Sequence, residues 1–210
     1  VISAKGVLVN GYEFAHDAGF PTTGFKGAKF TLILDNGAEA SDYKWESSVG
    51  WVKVENGVVQ FNGQGNGEEV TIVGRNRENG IAMVEYKFRL KRWFDNMGDT
   101  SMTYKEALTH GRLPARYELA ESTRHSGAAY IVDRDIGALY NEWGTLDADS
   151  YPDAGWMQYR DSTGPDDGYF TRSDENTTLA FCTGAWKLFY HLAHEDGANF
   201  KAYVAIVHEL

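Results

Sequence analysis

The chain has 210 residues, of which 42% are apolar and 14% aromatic, and its net charge is −10. That length allows one large or two small domains with well-filled cores. No apolar run of about 18 residues is present to cross a bilayer as a helix. The charge is uneven, with net −1 over residues 1–91 and −9 over 92–210. Nucleic-acid binding by the second half is excluded, because phosphate contacts need clustered Lys and Arg.

The opening "VISAKGVLVNGYEF" lacks the basic and apolar regions of a signal peptide, and it lacks an initiator Met, so it reads as the inside of a longer protein. From there residues 1–91 read as all-β. The segments "KGVLVNGYEF", "KFTLIL", "YKWES", "GWVKV", "VVQFNG", "EEVTIVGR" and "IAMVEYKFRLK" are short and rich in Val, Ile, Phe, Tyr and Trp. Turn-forming runs separate them: Asp35-Asn36-Gly37, Asn56-Gly57, Asn62-Gly63 and Asn79-Gly80. Asn and Gly tolerate the positive φ that tight hairpins require. Roughly seven strands in about 90 residues predict an Ig-like sandwich, here without its disulfide. It reads as a spacer whose removal leaves partner binding by 92–210 largely intact.

The pattern changes near "FRLKRWFDNMG". "TYKEALTHG" predicts a short helix with Thr103 near its start and Gly111 past its end, "LPARYELAEST" a turn and second helix, and "IGALYNEWG" a third. A long Asp-, Gly- and Pro-rich stretch follows, 145–168. "GYFTRS", "TLAFCTG", "AWKLFYHLA" and "KAYVAIVHEL" close the chain as strands. Helices followed by strands predict an α+β domain over 92–210. Lys91-Arg92-Trp93 runs from one half to the other without a Pro- or Ser-rich linker, which predicts a rigid junction.

Few residues carry recognisable chemistry. Asp147, Asp149 and Asp153 invite a calcium loop, but the EF-hand spacing then meets Tyr151, Pro152 and Gln158 where it needs an oxygen ligand, Gly and Glu. A solvated acidic loop is the better reading. His191, His194 and Glu195 lack the zinc-protease order, in which Glu follows the first His, and "AWKLFY" before them favours a strand. The Gly-rich "GQGNGEE" at 63–69 precedes a strand and not a helix, so it reads as a hairpin loop and not a phosphate cradle, and "GRNRENG" likewise reads as a turn. Paired acids such as Asp166-Asp167 or Asp174-Glu175 are expected in an acidic half by chance, and no enzyme, metal or cofactor is expected. "NTT" at 176–178 is a weak glycosylation match. Cys182 is alone, which excludes an internal disulfide and a Cys-based zinc site, and it reads as a buried strand residue.

Aromatic content is the stronger signal. Trp143, Tyr151, Trp156, Tyr159, Tyr169 and Phe170 fall in or beside the long irregular stretch. A loop this long and this aromatic is more often functional than disordered. Tyr151, Trp156, Tyr159, Arg160, Asp161 and Asp166 are the candidate contacts for a partner, since Tyr, Trp and Arg dominate protein–protein hot spots. Trp143 and Trp156 can equally anchor the loop to a core, and Trp156 or Tyr159 could offer a stacking platform for a sugar ring.

Three segments carry a family resemblance. "LKRWFDNMGDTSMTYKEALTH", "GRLPARYEL" and "IGALYNEWGTL" resemble the C-terminal cap of intimin/invasin-type bacterial adhesins, with the Leu-Tyr-x-x-Trp-Gly segment the most recognisable. The resemblance covers roughly the last 120 residues, and the first 90 match as an Ig-like pattern. It implies an Ig-like domain over 1–91 followed by a C-type-lectin-like cap domain over 92–210. It further implies the distal tip of an outer-membrane adhesin at the bacterial surface. Such a tip would be monomeric as a fragment and would bind a host protein: an integrin, a bacterially delivered receptor, or an immunoglobulin Fab as in the invasin D type, towards which the loop leans. The chain departs from the family in lacking the cap's disulfide. It also lacks the Glu-Pro-Asn, Gln-Pro-Asp and Trp-Asn-Asp signatures of calcium-dependent lectins. The alternative reading is a calcium-independent carbohydrate-binding module.

Overall fold

The computed structural model describes residues 2–35, 37–81, 83–127, 129–158, 168–172, 179–183, 189–193 and 201–210. Among the described residues it is mostly β with three short α-helices. The first half contains β1 (Ile2–Ser3), β2 (Gly6–Val9), β3 (Tyr12–Ala15), β4 (Thr23–Phe25), β5 (Lys29–Ile33), β6 (Tyr43–Ser47), β7 (Val52–Glu55), β8 (Val58–Phe61), β9 (Glu69–Asn76) and β10 (Met83–Arg89). All seven expected segments contain strands, but "KGVLVNGYEF" holds two. Asn10 and Gly11 take φ of 45° and 80°, and this pair of positive angles folds the segment into the β2–β3 hairpin. Asn56 and Gly57 do the same between β7 and β8.

Two sheets result, in the orders β1-β10-β9-β6 and β3-β2-β5-β8-β7. Alternation along each strand turns one face inward. Val70 and Ile72 of β9 with Val84, Tyr86 and Phe88 of β10 are buried from one sheet, and Val7, Phe30, Val59 and Phe61 from the other. The Phe30 ring lies 6.2 Å from both Tyr86 and Phe88, and Phe61 lies 5.7 Å from Phe88, so the sheets face each other across one core. The segment 63–69 is not a hairpin loop. It carries the chain from β8 in one sheet to β9 in the other, and Gly65 there sits where a Cβ would fall 2.3 Å from the Trp93 ring. Asn62-Gly63 makes no positive-φ turn.

The second half contains β11 (Arg92–Asn96), β12 (Met102–Thr103), α1 (Tyr104–Ala107), α2 (Arg116–Leu119), β13 (Arg124–Ser126), β14 (Ala129–Ile131), α3 (Leu139–Trp143), β15 (Tyr169–Phe170), β16 (Leu179–Thr183), β17 (Phe189–Ala193), β18 (Lys201–Ala202) and β19 (Ala205–Glu209). Thr103 caps α1: its hydroxyl accepts from Glu106 N at 3.2 Å and donates to Glu106 Oε1 at 2.9 Å. In α2 the buried Glu118 carboxylate accepts from Ala115 N at 2.8 Å and pairs with Arg172 at 3.2 Å. Arg92 Nε stands 2.9 Å from Glu118 Oε2, and its N–H goes to Glu209 Oε1 at 3.0 Å. A five-stranded sheet runs β13-β14-β17-β16-β15, and β12 pairs with β18. His191 lies on strand β17, which is the extended reading of "FYHLA". A small core of Met102, Ala107, Leu113, Phe170, Ala202, Val204 and Ile206 fills the space beside α1.

Residue 91 does not divide the molecule into separate cores. β4 leaves the sandwich and pairs in parallel with β11, which pairs on its other edge with β19. Lys91 N and Arg92 N both donate to Thr22 O, at 2.6 and 3.2 Å. One continuous apolar cluster holds Val7, Phe25, Phe30 and Phe61 together with Trp143, Tyr151, Trp156 and Tyr203. Backbone bonds to Thr22 run directly across the junction. The inner face of 1–91 closes over aromatic rings supplied by 92–210, so the two halves share packing across residue 91.

Candidate binding face beside the junction

Helix α3 organises the region that the sequence singled out. All five residues of α3, Leu139, Tyr140, Asn141, Glu142 and Trp143, are buried, and Gly144 ends the helix at φ 74°. Glu142 sits at offset three from Leu139 and is fully buried. Its Oε1 accepts from Thr22 N at 2.8 Å, Thr23 N at 3.0 Å and Thr23 Oγ1 at 2.7 Å. Its Oε2 accepts from Thr22 Oγ1 and from Gly137 N, the latter at 2.8 Å. Burial pushes this carboxyl above the usual range, and the hydroxyl and amide donors pull against that shift. Trp143 Nε1 donates to Thr23 Oγ1 at 3.0 Å, so both α3 side chains grip the residues that lead into β4.

Arg134 closes the same seam from the other side. Its Nη2 donates to Val9 O at 2.7 Å and Glu142 O at 3.0 Å, and its Nη1 to Asn10 O at 3.0 Å. The guanidinium also lies 5.2 Å from the Tyr12 ring centre, within cation–π range. Asn10 Nδ2 returns bonds to Trp143 O and Thr145 O at 3.1 and 3.0 Å. A cation at the carboxyl end of α3 also complements the helix dipole.

The loop after α3 is stapled along its length. Asp147 Oδ1 accepts from Ser150 N at 2.7 Å, and Tyr151 Oη donates to Trp143 O at 2.6 Å. Asn96 Nδ2 donates to Ala154 O at 2.9 Å, and Met157 N donates to Tyr169 Oη at 2.9 Å. Gly27 (φ 88°) lets the backbone of 153–154 lie directly against it, since a Cβ there would be 2.6 Å from Asp153 C.

Two expected contact residues are therefore corrected. Tyr151 is 1% exposed and Trp156 2%, each with its ring 5.2 Å from Phe25. They are buried because they fill the seam with the first half. Trp156 accordingly offers no open ring face to a sugar. Tyr159, Arg160, Asp161 and Asp166 lie outside the described residues, as do Asp167, Asp174, Glu175, His194, Glu195 and 176–178. On the described part of the loop the outward-facing side chains are those of Asp149, Pro152, Asp153 and Gln158. Glu121, Thr123, Asp133 and Asp135 line a shallow recess at the other flank of α3. Arg124 forks onto Asp133 there at 2.5 and 2.9 Å and holds that carboxyl below its usual range. Among the described residues, the exposed side chains of the loop and recess include the carboxylates of Glu121, Asp133, Asp135, Asp149 and Asp153, with Arg124 paired to Asp133.

Sequence reasoning missed Asn10, Arg134 and Glu142. A signal existed for Glu142, whose spacing from Leu139 places it on the apolar face of the helix. None existed for Asn10 or Arg134, whose contacts across the seam are with backbone carbonyls more than 120 residues away.

Comparison with known proteins gives consistent matches. The Invasin, domain 4 family profile matches residues 5–88. Over 209 residues, 95% of the chain, it is 32% identical to the inverse autotransporter adhesin YeeJ of Escherichia coli (strain K12). Over 184 residues, 85% of the chain, it is 30% identical to the invasin of Yersinia enterocolitica. The chain spans only 8% and 20% of the lengths of those two proteins. Among solved structures, invasin, described as a bacterial integrin-binding protein, aligns with a TM-score of 0.73 at 24% identity, covering 99% of this chain and 39% of that one. The C-terminal 282-residue fragment of intimin, solved in complex with the intimin-binding domain of the translocated intimin receptor, aligns at 0.55 and 14% identity, covering 98% and 66%. At these identities the two structures speak to the fold.

Proposed function

The chain belongs to the intimin/invasin family of bacterial adhesins, and on that premise we propose that it is the host-binding tip of a longer adhesin. In this reading residues 1–91 form an Ig-like unit and 92–210 a C-type-lectin-like cap that works without calcium. The parent protein is held in the bacterial outer membrane and presents this tip at the cell surface. The partner is a host protein, an integrin or an immunoglobulin Fab being the two classes to try first. The sequence likeness to two adhesins across nearly the whole chain carries the proposal.

The face around α3 supports a protein partner over a glycan. Its described part is firmly stapled and carries exposed carboxylates, and Trp156, one of the two aromatic platforms considered for a sugar, is closed. Exposed carboxylates such as Asp149 and Asp153 suit a partner with Lys or Arg, or one that carries a metal with an open position. The test is biolayer interferometry of the folded chain against purified integrin ectodomains and Fab fragments at physiological salt, with a glycan array alongside. Binding to one protein class is expected, weakened at least tenfold by Asp149→Asn combined with Asp153→Asn. Silence against both protein classes with a positive array would replace the proposal by carbohydrate binding.

A further inference from the structure

Two kinds of contact hold α3 and its loop against the sandwich. The first is aromatic. Phe20, Phe25, Phe30 and Phe61 surround Trp143 at ring distances of 4.8 to 6.1 Å. Such burial depends on area more than on angle, and each edge-on ring pair adds only about 0.5–1.5 kcal/mol for its geometry, so small tilts are resisted less sharply than by hydrogen bonds. The second is the Glu142 carboxylate. Among the described residues, four of its five donors come from the consecutive Thr22 and Thr23, each of which gives both its amide and its hydroxyl. Hydrogen bonds weaken steeply away from linear geometry, and a buried anion displaced from its donors has nothing else to turn to. Its surroundings provide dipoles where an ion pair would supply a cation.

We propose that Glu142 is a positioning residue. The aromatic seam sets how tightly the α3 region is held, and the carboxylate sets the angle at which it is held. Arg134 supplies the second fixed point, reaching Val9 and Asn10 on the sandwich while holding Asn141 and Glu142 on the helix. One polar point would permit rotation about itself; two leave rotation only about the line joining them, which the bonds of Asn10 Nδ2 to Trp143 O and of Trp143 Nε1 to Thr23 Oγ1 restrict further. A buried polar group that leaves alternative apolar packings unsatisfied is a known route to a single conformation. The inference stands apart from the identity of any partner, since it concerns the frame that presents the acidic face.

The experiment measures a distance distribution in the full chain by pulsed electron spin resonance. Nitroxides are placed at K53C on the sandwich and T123C beside α3, with Cys182→Ser removing the native thiol. Thr123 follows the helix because Glu121 and Asn141 are tied by reciprocal bonds of 2.9 Å. The wild-type side chain should give one narrow distribution. Glu142→Gln and Glu142→Met, both measured well below their melting temperatures, should at least double its width or add a second population. Thr22→Val probes the same contact from the sandwich side and decides the matter if neither Glu142 variant folds. A narrow, unshifted distribution in a folded variant overturns the proposal, even where the melting temperature falls, because it would leave the carboxylate a stabilising role alone.

Discussion

Removing the Phe25 ring should destabilise both halves together. Phe25 is 1% exposed and stands 5.2 Å from the rings of Trp143, Tyr151 and Trp156, all edge-on. Truncating a core Phe to Ala costs about 3–5 kcal/mol. Favourable ring pairs add about 0.5–1.5 kcal/mol each beyond the area they bury, and three of them place Phe25→Ala near the top of that range. A domain pair of this size holds about 5–15 kcal/mol in total, so a third or more of the stability should go. At roughly 2–4 °C per kcal/mol, the melting temperature should fall by about 10–20 °C. Urea unfolding followed by tryptophan fluorescence gives the free energy, and native-state hydrogen exchange shows where it is lost. Protection should drop equally in β9 and β10 of the sandwich and in β11 and β19 across the junction. A loss below about 2 kcal/mol, or one confined to the sandwich amides, would refute the claim that a single core spans residue 91.

Tyr151→Phe removes a buried donor from Trp143 O and should lower stability by about 1–3 kcal/mol in urea, while partner affinity of the folded protein stays unchanged. Gly27→Ala meets the backbone of Asp153 as well as a positive φ, so it should cost at least about 2 kcal/mol. Gly19→Ala, at φ 93° with nothing within 4 Å, should cost only about 1 kcal/mol, and equal losses at both sites would count against the close packing of the loop. Arg92 and Arg112 hold the Glu209 carboxyl below its usual range. Its contribution is present above the ordinary glutamate pKa of about 4.3 and is lost as pH falls through the depressed folded value. The group is half exposed, so solvent screening keeps that contribution under about 1 kcal/mol, and a carboxyl NMR titration with its midpoint at or above the ordinary value would contradict the pairing.

The strands of the first half were legible because their alternation is local: Val70 and Ile72, or Phe30 and Leu32, announce an inward face within a few residues. The short helices were legible for the same reason, through Thr103 at the start of α1 and Gly144 at the end of α3. The division of labour among aromatic residues was not. Tyr151 and Trp156 look like contact residues in a loop of Asp, Pro and Gly, and only the approach of Phe25, more than 120 residues earlier, shows them to be filling. Glu142 was hidden by its chemistry, since a charged residue on a helix is normally solvated and this one is matched by Thr22 and Thr23 at long range. The exposed acids Asp149 and Asp153 were readable as surface, but their neighbourhood depends on how the seam closes.

The parallel pairing of β4 with β11 has a consequence for engineering. A crossover at residue 91 in this chain would bring a foreign strand against Thr23, Gly24 and Phe25, and a foreign helix against Thr22. The recipient would have to match a strand register, a carboxylate socket and a ring cluster at once. Chimaeras should therefore fail when cut at residue 91 and succeed when both sides of that contact are exchanged together.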